Sequence, residues 1–150
     1  MFFIHIYIYT HAQTIIITIL ILISLDCQGT PKIEGIFMDM SEIDREVYLS
    51  PTVFQRMLNL RLLKFYSHDA KKKRKVYLPK NLHNRPNMLR YLHWEGYPAK
   101  ALPANFSAEY LVELIMPNCQ VKKLWSGVQV HIHLRIICSF LIDILDIQNA

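Results

Sequence analysis

The sequence predicts an α/β solenoid, a short stack of similar coils. Parallel strands would line the concave side, with short helices and 3₁₀ turns on the convex side. Three observations predict it. An apolar pattern L-x-x-L-x-L recurs four times, at Ile33-Ile36-Met38, Leu60-Leu63-Phe65, Leu89-Leu92-Trp94 and Leu111-Leu114-Met116. Its starts are separated by 27, 29 and 22 residues. The segments between carry prolines, as in Leu78-Pro79 and Leu102-Pro103, which rule out long helices.

Within each unit the second and third apolar residues lie two apart, so in a strand they share one face. The first lies three residues earlier and turns in from the bend. One unit cannot bury that side alone, whereas stacked units form a continuous core. A repeat of this pattern and spacing is the signature of leucine-rich repeats.

The coils divide the 150 residues into three segments. Residues 1–28 are an apolar N-terminal segment, 29–129 hold the repeats, and 130–150 are an apolar C-terminal segment. The chain is 52% hydrophobic and only 19% charged, and the ends carry the apolar excess. Residues 1–25 read MFFIHIYIYTHAQTIIITILILISL, with no Lys or Arg before Lys32. A signal peptide should carry a basic n-region, and a span needs about 20 apolar residues. Three readings stay open: a targeting segment or anchor, a buried structural element, or a stretch with no evolved role. In residues 130–150, Arg135, Ser139, Asp143 and Asp146 alternate with Ile137, Leu141, Ile144 and Leu145 at helical spacing. Both extensions are therefore expected to be helical.

The first return segment should be the most helical. Ser50 suits an N-cap, Pro51 the first helical position, and Phe54, Met57 and Leu58 would share one side. Later returns should be single turns closing over Leu82 and Phe106. The alternate strand residues point outward: Phe37 and Asp39, Lys64 and Tyr66, His93 and Glu95, Ile115 and Pro117. Stacked, they make two columns on the concave face, the surface solenoids use for binding. Lys64, Tyr66, His93, Glu95 and Ile115 are the expected protein-binding residues. The plainer reading of each is a solvated side chain.

The words around the repeats are more specific than the pattern. They are KIEGIFMDMS at 32–41, FQRMLNLRLLKFY at 54–66, LRYLHWEGYP at 89–98, LPANF at 102–106 and YLVELIMPNCQVKKLWSGVQ at 110–129. In this order they resemble plant disease-resistance proteins of the Toll/interleukin-1-receptor, nucleotide-binding, leucine-rich-repeat class. The resemblance covers residues 29–129, the first few repeats. It implies a repeat-domain role in sensing pathogen effectors and in holding a receptor off, in the cytoplasm or nucleus. No catalytic or nucleotide-binding role transfers: the sequence has no G-x-x-x-x-G-K-[ST] loop and only four glycines. Arg85 stands where the family has Leu, Ile115 where Asn is common, and Ser126 where Glu is common. The resemblance begins and stops where the family's exon borders would fall, so the two ends are expected to be translated non-coding sequence.

The remaining features exclude more than they indicate. Five of the 17 Lys and Arg residues form one run, Lys71, Lys72, Lys73, Arg74 and Lys75, which supplies much of the +5 net charge. The run resembles a single-cluster nuclear-import signal, and reads equally as a solvated loop. It lacks interleaved aromatics, so nucleic acid is not an expected partner. Cys27, Cys119 and Cys138 are scattered, and His131-x-His133 lacks further ligands, so no metal or other cofactor is expected. Glu42, Asp44 and Glu46 alternate in a polar stretch and read as a solvated edge. No nucleophile–base pair or paired carboxylate supports an enzyme. The competing function is a membrane-anchored or secreted repeat protein that uses residues 1–25 for targeting.

Overall fold

The computed structural model of the chain describes residues 5–9, 14–18, 31–42, 46–69, 76–79, 86–103, 106, 109–122, 124 and 135–138. The four apolar triplets each build one strand and the bend leading into it. The strands are β3 (Gly35–Asp39), β5 (Leu62–Tyr66), β7 (Tyr91–Trp94) and β8 (Glu113–Met116). They pair in parallel and in sequence order, and β9 (Arg135–Cys138) continues the sheet beyond β8. All twelve triplet residues are buried. The register stacks them: Ile36 on Leu63, Leu63 on Leu92, Leu92 on Leu114, with Met38 on Phe65 and Phe65 on Trp94 beside them. Burying each such Leu or Ile contributes about 1.5–3 kcal/mol.

The coils also repeat a backbone device. The carbonyl of Glu34 accepts from the N–H groups of Arg61 (2.8 Å) and Leu62 (3.1 Å). The Arg61 carbonyl does the same for Arg90 (2.8 Å) and Tyr91 (3.0 Å), and the Arg90 carbonyl for Val112 (2.8 Å) and Glu113 (3.1 Å). Each bend is thus fixed to the next, although the coils differ in length.

The first return is not helical. The N–H groups of Val53, Gln55, Met57 and Leu60 donate to the carbonyls three residues earlier, at 2.9–3.2 Å. This is 3₁₀-type turning, three residues per turn. It brings Phe54, Met57 and Leu60 to one side, all buried, and leaves Leu58 60% exposed. The expected grouping of Leu58 with the core is corrected by that change of period. Ser50 still acts at the start, its Oγ accepting from the Thr52 N–H at 3.3 Å. A 3₁₀ turn also follows β3, at Met40–Glu42. Leu102 and Phe106 are buried as expected, whereas Leu82 and Arg85 lie outside the described residues.

A second, two-stranded parallel sheet joins β4 (Val47–Tyr48) to β6 (Val76–Tyr77). Val47 and Val76 enter the core. Tyr48 and Tyr77 stack face to face, 4.8 Å apart and 9° from parallel, and both hydroxyls donate to the Glu46 carboxylate at 3.0 Å.

Where the extensions are described, they are strands and not helices. β1 (His5–Tyr9) pairs antiparallel with both β2 (Thr14–Thr18) and β3. The sequences HIYIY and TIIIT explain this, because β-branched and aromatic residues fit a pleated sheet better than a helix. At the other end Arg135–Cys138 takes the register of β8 instead of starting the expected helix. Residues 139–150, Ser126 and the His131-x-His133 pair lie outside the described residues.

Gly96 and Asn118, each two residues past the last inward residue of its strand, both adopt positive φ, 64° and 56°. Gly and Asn tolerate this left-handed conformation best. A Cβ at Gly96 would meet nothing within 4 Å, so the penalty for Gly96→Ala is purely conformational. Gly96→Ala should cost about 1–2 kcal/mol in urea unfolding, whereas Asn118→Gly should cost less, because relief of the left-handed φ offsets the lost Nδ2 bond to Glu95.

Candidate protein-binding face

Side chains alternate across a strand, so the residues between the inward ones line the concave face. The register aligns Phe37, Lys64, His93, Ile115 and Ile137 in one column. It aligns Gly35, Leu62, Tyr91, Glu113 and Arg135 in a second, and Asp39 with Tyr66 in a third, which Glu95 continues. Lys64, Tyr66, His93, Glu95 and Ile115, expected to be outward, are all half-buried there. Lys71, Lys72, Lys73, Arg74 and Lys75 lie outside the described residues. The column of Leu62, Tyr91 and Glu113 was not anticipated, because the strands begin one residue earlier than the triplets suggested. The tyrosine pair on Glu46 was also missed, though Val-Tyr recurs 29 residues apart, at 47–48 and 76–77.

Short contacts fix several of these side chains. The Lys64 ammonium sits over the Tyr66 ring, 4.5 Å from its centroid, and Tyr66 meets the His68 ring edge to face. The Tyr91 hydroxyl lies 3.4 Å from His93 Nδ1. Beneath them Phe65 meets Trp94 in a T-shaped contact at 4.5 Å, and Trp94 meets Tyr97 at 5.2 Å. Burial pushes the Tyr97 phenol up to about 12, so it stays protonated and donates to the Ala101 carbonyl.

The acidic residues of the face act as local acceptors. Asp39 accepts from Ser41 N–H (2.9 Å), Ser41 Oγ (2.7 Å) and His68 N–H (3.4 Å), and contacts His68 Nδ1 at 2.5 Å. Glu95 accepts from Ser67 N–H (2.9 Å) and Asn118 Nδ2 (3.4 Å). Glu113 faces Arg135 at 3.7 Å. Among the described residues, no group of three or more His, Cys, Asp or Glu side chains is placed to hold a metal ion. No described helix is long and apolar enough to cross a membrane.

A stack of parallel strands with this inward ladder defines a leucine-rich-repeat unit, and residues 110–129 match the Leucine Rich Repeat family model. The chain is a leucine-rich-repeat segment related to plant disease-resistance proteins. It is 44% identical over 128 residues to disease resistance protein RRS1 of Arabidopsis thaliana, a match covering 82% of this chain and 9% of that protein. It is 50% identical over 99 residues to disease resistance protein RPP2A of the same plant, covering 66% and 7%. Disease resistance-like protein DSC1 is 42% identical over 102 residues, covering 65% and 8%. The chain thus spans less than a tenth of the length of these relatives. No solved structure gives a significant match.

Burial, then the positive charge of Lys64, holds the His93 imidazole below its ordinary 6.5, against the opposing pull of Glu95 and Glu113. Burial raises the Asp39 carboxyl, but the hydrogen bonds from His68 and Ser41 outweigh it and hold it below 3.8. Both groups bind protons less readily folded than unfolded, so both contributions are complete at neutral pH and fade with acid. Urea midpoints should be flat from pH 7 up to the ordinary tyrosine value of 10.0, above which the raised Tyr97 phenol makes them fall; they should also fall as the pH drops below 6.5, and again below 3.8. His93→Gln should remove the first decline and leave the second.

Proposed function

We propose that this chain supplies a protein-binding surface to an intracellular plant immune receptor, senses a pathogen effector through it, and helps to hold the receptor off without catalytic activity of its own. The observation that carries this reading is the unbroken outward ladder of the parallel sheet. Lys64, Tyr66, Tyr91, His93 and Ile115 stand side by side on three adjacent strands, half-buried and held by their neighbours. Aromatic, aliphatic and basic side chains grouped on a rigid floor are the composition of protein interfaces. Pre-ordered side chains also lose little entropy on binding. The relatives' names, disease resistance proteins, supply the biological setting.

The test replaces the matching segment of RRS1 with residues 29–129 and scores the defence response with and without effector. Tyr91→Ala with Ile115→Asp should abolish the effector-triggered response or release a spontaneous one, at unchanged protein level. A response indistinguishable from that of the unsubstituted chimera would count against the proposal.

A further inference from the structure

We propose that the partner segment received by this face is acidic and carries aromatic or aliphatic side chains, lying across β5 and β7 with its carboxylates on Arg61, Arg90 and Lys64. This rests on the reading of the concave face as a protein-binding surface. On this face the acidic charge is engaged within the fold, whereas the basic charge of Arg61 and Arg90 is open to solvent.

Asp39 and Glu95 are turned onto the backbone N–H groups of Ser41, His68 and Ser67, where they complete the turns after the strands. Glu113 is held opposite Arg135. The negative charge of these carboxylates is already partly engaged by donors within the fold. The cations are placed differently. Arg61 and Arg90 stand just before β5 and β7, on neighbouring coils joined by the 2.8 Å bond from Arg90 N–H to the Arg61 carbonyl. Both are exposed, and the two ion pairs among the described residues, His68–Asp39 and Arg135–Glu113, involve neither. Two like charges on adjacent strands repel, and neighbouring strands lie only about 4.8 Å apart. An external carboxylate between them relieves that repulsion. Glu34, in the same position on the first coil, is half-buried and confines the basic rim to the second and third coils.

The floor beside this rim selects the rest of the partner. Leu62 and Tyr91 follow the two arginines directly, and Lys64 and His93 come next. Burial and Lys64 keep His93 mostly neutral at physiological pH, so Lys64 is the single cation in the centre, backed by the Tyr66 ring. A segment that alternates carboxylates with aromatic side chains matches this arrangement: anions over the rim and Lys64, rings over Leu62, Tyr91 and Ile115.

The probe is a random glutamate–tyrosine copolymer, with poly-glutamate and poly-lysine beside it, titrated against the immobilised full chain. The copolymer should bind more tightly than poly-glutamate, and poly-lysine should not bind. Arg61→Glu with Arg90→Glu should weaken the copolymer by about tenfold. Lys100→Glu with Lys122→Glu makes the same charge change at another exposed pair on neighbouring coils, and should change binding by less than about twofold. Equal losses in the two double variants would overturn the proposal, because overall charge alone would then explain them. Poly-lysine binding that is lost in Tyr91→Ala would overturn the acidic partner while leaving the binding face standing. Copolymer binding that neither Tyr91→Ala nor the arginine pair alters would overturn both.

Discussion

Leu92 is buried against Leu63 on one side and Leu114 on the other, and each of those depends in turn on its own neighbour. This lateral dependence shapes the whole molecule. A coil of some 22 to 29 residues has one apolar edge and cannot turn it inward upon itself. Only stacking in a fixed register buries it. A slip of one residue would carry Leu63 and Phe65 to the concave surface and Lys64 into the core. The paired hydrogen bonds from each bend to the next, Glu34 to Arg61 and Leu62 and so on, hold that register from the backbone side.

The concave face follows from the same constraint. Because the inward residues fix the register, Lys64, His93 and Ile115 must fall into line, as must Leu62, Tyr91 and Glu113. The strand ends leave N–H groups that need acceptors, and Asp39 and Glu95 supply them. Part of what looks like a charged recognition surface is therefore structural. In the reading proposed above, a partner would meet the aromatic and aliphatic floor, with Lys64 at its centre and Arg61 and Arg90 at its rim.

The sheet was legible in the sequence because its signal is periodic and its residues large. All four apolar triplets are buried; of the residues named outward from alternation, Lys64, Tyr66, His93, Glu95 and Ile115 are half-buried between them, whereas Asp39 is buried against its turn. The returns were less legible. Phe54, Met57 and Leu58 fit an α-helical period, whereas Phe54, Met57 and Leu60 fit a 3₁₀ period, and sequence alone does not choose between three and 3.6 residues per turn. The hydrogen bonds from Val53, Gln55, Met57 and Leu60 to carbonyls three residues earlier take the tighter turn. Residues 135–138 likewise satisfy a helical pattern in the sequence, yet the open edge of β8 offers them strand hydrogen bonds. The orientation of Asp39 and Glu95 was illegible because it depends on turns that bring Ser41, Ser67 and His68 near them, a three-dimensional fact.

Stability in this fold passes between nearest-neighbour coils. Double-mutant cycles read this directly, using Leu92→Ala with Leu114→Ala, and Leu63→Ala with Leu114→Ala. Adjacent coils should couple by about 0.5–3 kcal/mol, and coils one apart should be additive within about 0.5 kcal/mol. Equal coupling for the two pairs, or none for Leu92 with Leu114, would rule out nearest-neighbour dependence.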